Sequence, residues 1–125
     1  MNLEETMQFI RESGDDSLFI LWTNADPVTS NLMVFMYAEN AMRYQKWDNI
    51  MIIVWGATAK LAAEDPQIQS KIRALQELGV RFSACITCAE ELGVSETLRS
   101  LGIDLVKWLN PLTALLKEDK KLITA

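Results

Sequence analysis

Two short runs of unbroken apolar residues, Leu18–Trp22 and Ile50–Trp55, limit the fold more than any other feature of this chain. Neither alternates apolar with polar residues, so neither suits a sheet with one wet face. Each reads as a strand buried on both sides, the pattern of a parallel sheet lying under helices. Val80–Ala84 and Ile103–Trp108 read as third and fourth strands. Between the strands the spacing turns helical. Leu3, Met7 and Ile10 predict a short leading helix, and Val28, Leu32, Phe35, Met36 and Met42 predict one buried face on a helix from Pro27 to about Tyr44. A short Ala-rich helix near residues 57–63 comes next, then one from Pro66 to Leu78 that buries Ile68, Ile72 and Leu75.

The punctuation agrees with this alternation. Asp26-Pro27, Asp65-Pro66 and Asn110-Pro111 read as helix starts, because Asp or Asn caps an orphan amide and Pro needs none at the first helical position. Gly14, Gly79 and Gly102 each follow an amphipathic stretch and read as helix ends. Ser95 reads as the cap of a short helix to Ser100, and Pro111–Lys117 as the last helix. The expected architecture is α/β: a single open, mostly parallel sheet with helices on both faces, doubly wound. Residues 1–125 read as one domain, with residues 1–14 as an N-terminal helical extension.

Composition removes several functions. The chain has no histidine, so it can build no Ser-His-Asp or Cys-His unit and no His-ligated metal site. Its formal charge of −5 and scattered Lys and Arg argue against nucleic acid as a partner. The longest charge-free stretch, Pro27–Ala38, has 12 residues, and a spanning helix needs roughly 20. No membrane association is therefore expected. The first residues show no basic-then-apolar signal pattern, and two cysteines three positions apart cannot staple a fold. The expectation is a reducing, cytoplasmic setting.

In open α/β sheets ligands gather outside the carboxyl ends of the strands. Three strand-to-helix turns should meet there: Thr23–Pro27, Gly56–Lys60 and Ala84–Cys88. Each should offer free backbone amides and the positive end of a helix dipole. Cys85 ends a strand just before a helix start, where a thiol pKa can fall from about 8.5 toward roughly 3.5–7.5. It is the candidate nucleophile; the competing reading is a small buried hydrophobe. Cys88 completes a Cys-x-x-Cys spacing. Two thiols without histidine are too few for zinc, and the surrounding pattern lacks the hairpin and late cis-proline turn of a thioredoxin-like fold. Asn24, Asp26, Gly56 and Thr58 are candidate ligand-binding residues. Capping accounts for Asp26, and turn geometry for Gly56, equally well. Lys60 reads equally as a solvated charge.

The segments Leu21-Trp22-Thr23-Asn24-Ala25-Asp26-Pro27, Ile53-Val54-Trp55-Gly56-Ala57-Thr58-Ala59-Lys60-Leu61 and Val80-Arg81-Phe82-Ser83-Ala84-Cys85 resemble the DsrE/DsrF-like family, as do Leu92-Gly93-Val94 and Leu101-Gly102-Ile103. The resemblance runs from Ser17 to Lys117. It implies a parallel α/β sheet, a homo-oligomer (trimer or hexamer), and a cysteine at position 85 that carries persulfide sulfur between a donor and an acceptor protein. Cys88 departs from the relay pattern: it can attack a persulfide on Cys85 and release sulfide, or be inert. The functional expectation is an intracellular persulfide carrier or sulfurtransferase-like protein acting without a cofactor. The alternatives are a non-catalytic oligomeric small-ligand module and a Cys85/Cys88 dithiol redox switch.

Overall fold

The computed structural model describes residues 1–125. Its five strands are β1 (Ser17–Trp22), β2 (Asn49–Val54), β3 (Arg81–Cys85), β4 (Asp104–Val106) and β5 (Lys121–Thr124). They form one sheet in the order β4-β3-β2-β1-β5, with every neighbouring pair parallel. The expected sheet is thus present, and it is wholly rather than mostly parallel. β5 was not anticipated. The fourth strand is also shorter than expected, because the chain leaves it at Val106 and Trp108 becomes the cap of the following helix.

The helices are α1 (Leu3–Glu12), α2 (Pro27–Thr29), α3 (Met36–Arg43), α4 (Ala57–Glu64), α5 (Pro66–Glu77), α6 (Ile86–Glu91), α7 (Ser95–Ser100) and α8 (Leu109–Lys117). Parallel crossovers are almost always right-handed, so the direction of each step selects the face its helices cover. The chain steps from β1 to β4 in one direction, and α2 to α7 accordingly share one face. There 23 buried residues form a core around Ile20, Trp22, Ile52, Val54, Phe82 and Ala84. The step from β4 to β5 runs the other way and carries α8 to the opposite face. A smaller core of 7 buried residues lies there, joining Phe19, Met51, Ile53 and Val106 to Ile10 of α1, Trp108 and Leu115 of α8. No helix is long and apolar enough to cross a membrane.

The helix expected from Pro27 to Tyr44 is broken by a π-helical stretch, Ser30–Phe35, between α2 and α3. The wider turn carries an extra residue, and one residue is worth about 100° of rotation on a helix. The buried face changes accordingly. Val34, Phe35, Ala38 and Ala41 face the core, while Val28, Leu32 and Met36, expected inside, are 62%, 61% and 46% exposed. Ser30 sits in this wide turn, accepting a hydrogen bond from the Trp22 indole N–H at 3.0 Å and donating to the Asn24 carbonyl at 3.1 Å.

Asp26 and Asp65 cap their helices as expected, each accepting amides of the first turn. Gly79 and Gly102 end helices with left-handed backbone. Three expected marks fail. The Asn110-Pro111 pair lies inside α8, whose cap is Trp108. Gly14 is not a helix end, since α1 exits through an extended Ser13. Ser95 is the first helical residue of α7 rather than its cap, which is Val94.

On the thinner face the Trp108 indole donates to the buried Ser83 hydroxyl at 2.9 Å. A Ser83→Ala chain would leave that N–H unpaired in the core. It should lose about 1–3 kcal/mol, read from the midpoint of urea unfolding with an unchanged slope.

Candidate functional site

Where two neighbouring strands send their following helices to opposite faces, the loops part and open a crevice at the carboxyl edge. In this sheet that point lies between β3, which leads into α6 on the larger core, and β4, which leads into α8 on the smaller one. Cys85 is the last residue of β3 and stands in register with Val106, the last residue of β4. The topology therefore brings the candidate nucleophile to the parting of the loops.

Cys85 is also the N-cap of α6, in extended backbone conformation. The nearby backbone amides of Thr87 and Cys88 favour the thiolate, as a helix start should, although no capping hydrogen bond to the sulfur is formed. Burial outweighs them. Cys85 is 7% exposed, and desolvation, followed by the neighbouring Cys88 thiol, holds its pKa above the ordinary thiol range. The expected solvent-open anion is corrected to a mostly buried, protonated thiol. The physical reason is scale. Two amides at the start of a six-residue helix do not compensate for removing a charge from water. Both cysteines are free, Cys85 buried and Cys88 half-buried.

The other expected site residues lie elsewhere. Asn24 and Asp26, both exposed, are at the exit of β1, two strands from β3 and so roughly 10 Å away at ordinary strand spacing. The Asn24 Oδ1 accepts the Asp26 amide at 2.9 Å, and the Asp26 Oδ2 accepts both the Thr29 amide and its hydroxyl at 3.0 Å. The amides of Thr23 and Asn24, expected to be free, donate to the Ala125 carbonyl beyond β5 at 2.6 and 3.1 Å. Thr58 is fully buried. Its hydroxyl donates to the Trp22 carbonyl at 2.7 Å and receives the Trp55 amide at 3.2 Å, tying the ends of β1 and β2 together. Gly56 caps α4 with φ 71° and ψ −134°, a backbone region open only to glycine. Asn24, Asp26 and Thr58 thus spend their polar groups on the turns themselves.

An open groove of about 820 Å³ lies along α4 and the start of α5, lined by Ala25, Ala57, Lys60, Glu64, Asp65 and Gln67 among others. It contains neither thiol. Sequence reasoning missed the switch point between β3 and β4, because only the reverse step into β5 creates it.

Residues 17–125 match the DsrE/DsrF-like family. Among solved structures, the chain is similar to a conserved protein of unknown function from Bacteroides thetaiotaomicron. The two share 38% sequence identity with a TM-score of 0.88, over 91% of this chain and 98% of that one. No curated protein matches.

A raised pKa gives the folded chain less thiolate at Cys85 than the unfolded chain at any given pH around neutrality. Alkylation of Cys85 by iodoacetamide, followed by peptide mapping, should be slower in the folded chain. It should also keep rising with pH after the rate in urea-unfolded chain has levelled. A folded-chain plateau at lower pH than the unfolded one would contradict the burial argument.

Proposed function

The chain belongs to the DsrE/DsrF-like family, and from that membership we propose that it handles sulfane sulfur on Cys85, as a persulfide carrier of the sulfurtransferase type. The observation that carries this reading is the position of Cys85 at the parting of the β3 and β4 loops, as the N-cap of the following helix. In the loading step the Cys85 thiolate attacks the outer sulfur of a donor persulfide. The donor's sulfur–sulfur bond breaks, and the donor leaves as a thiolate. In the delivery step an acceptor thiolate attacks the outer sulfur on Cys85, and Cys85 leaves as a thiolate. The nearby Thr87 and Cys88 amides favour that leaving group, since their dipoles stabilise the charged form. Neither step needs a cofactor. A reducing compartment, the cytoplasm, keeps both thiols in the reactive state.

Burial gives the site a second property. A thiol kept protonated by desolvation is a poor nucleophile toward stray electrophiles. A donor protein that brings its own polar groups to the crevice changes that desolvation only where sulfur is delivered. The open groove along α4 supports a second reading, a non-catalytic small-ligand module, because it is a concave surface at the carboxyl edge that does not involve the cysteines.

Assembly into a homo-oligomer is part of the proposal. Val28, Leu32 and Met36 form an exposed apolar stripe at helical spacing, with Met33 and Tyr37 beside it. A stripe of this kind suits a protein–protein contact, and a second copy of the chain is the occupant we assign.

Two measurements test this reading. In a Cys88→Ser chain a sulfane-sulfur donor should add one sulfur atom to Cys85 by intact mass and peptide mapping, and further substitution Cys85→Ser should abolish that labelling. Equal labelling of the variant would remove Cys85 from the role and leave the groove reading in place. In solution, the chain should sediment as a trimer or hexamer of its 14.2 kDa protomer, and Leu32→Glu should shift it toward the monomer. A wild-type monomer would refute the assembly.

A further inference from the structure

Cys88 is unused by the carrier chemistry, yet its placement relative to Cys85 is specific. Cys85 is the N-cap of α6 and Cys88 its third residue. These are the two positions whose side chains meet across the first turn of a helix, as the partners of a capping box do. Helical residues three apart have Cα atoms about 5 Å from each other by helix geometry, within the span of about 4.4–6.8 Å that a disulfide bridges. The Cys88 thiol lies near enough to that of Cys85 to push its pKa up. The pair is also graded in exposure, with Cys85 buried and Cys88 half-buried beside it.

We infer that Cys88 is a resolving thiol, which discharges a persulfide on Cys85 as hydrogen sulfide and closes a Cys85–Cys88 disulfide. The inference rests on the reading of Cys85 as the sulfur acceptor. The Cys88 thiolate attacks the Sγ of Cys85, and a bond forms between the two cysteine sulfurs. The bond from Sγ to the outer sulfur breaks, and that sulfur leaves with the electron pair and its own proton as hydrosulfide. The sulfane sulfur is reduced by two electrons, and the two cysteine sulfurs are oxidised to the disulfide. A dithiol reductant in solution then regenerates the pair by exchange, entering at Cys88, the more accessible sulfur.

The step competes with delivery to another protein. A thiol three residues away acts at an effective concentration far above that of a freely diffusing acceptor. A chain with this pair therefore ends a sulfur transfer, as a sulfide-releasing reductase of persulfides, unless a docked acceptor reaches the outer sulfur first.

The test uses reduced wild-type chain and Cys88→Ser chain. Each is loaded with inorganic polysulfide, desalted and incubated, with sulfide trapped and the protein read by intact mass and peptide mapping. Wild type should release one sulfide per loaded chain and acquire a disulfide between residues 85 and 88. Cys88→Ser should retain one added sulfur on Cys85 and release sulfide at least about tenfold more slowly. Cys88→Ala should behave as Cys88→Ser, which separates loss of the thiol from any effect of the introduced hydroxyl. Wild-type chain that keeps its added sulfur as long as Cys88→Ser, or sulfide release without the disulfide, overturns the inference while leaving the carrier reading intact. A Cys88→Ser chain that takes up no sulfur on Cys85 overturns both.

Discussion

The handedness of the crossover connection governs this molecule. Three successive steps in one direction commit the helices from α2 to α7 to a single face. One reversed step commits α8 to the other. The uneven division of the core, 23 buried residues against 7, follows from that count. So does the parting of loops between β3 and β4, which places a strand-end cysteine at the switch point. α1, outside the region that matches the family, contributes Ile10 to the thinner face, which α8 alone covers incompletely.

At Cys85 two ordinary effects oppose each other. Amides at a helix start favour the anion, and removal from water disfavours it; here the second is larger. A short helix and a buried sulfur leave the protonated thiol as the favoured form. The nearby Cys88 thiol also disfavours the Cys85 anion.

Much of this was legible in the chain itself. Unbroken runs such as Ile50–Val54 announce two-sided burial, and Asp before Pro announces a helix start at residues 26 and 65 because the capping chemistry is local. The misreadings arose where tertiary structure overrides a local rule. The phase of the helix after β1 was lost at the π-helical Ser30–Phe35, since one extra residue turns Val28, Leu32 and Met36 outward without altering the apparent spacing. Asn110 carries a capping side chain, yet α8 begins earlier, where Trp108 is anchored to Ser83. β5, only four residues from Lys121, has too little apolar pattern to stand out, and without it the switch point between β3 and β4 had no basis. The identity of Cys85 as a strand-end residue was readable, but its depth was not, because burial depends on α6 and β4 packing around it.

The sheet tapers outward. Its inner strands β1 and β2 have six residues each, while the outermost, β4 and β5, have three and four. An open parallel sheet always leaves two rows of unpaired backbone groups that invite a stranger's strand, and cells penalise the resulting aggregates. Margins this brief, one of them opening on a lysine, offer an intruding strand few rungs to climb.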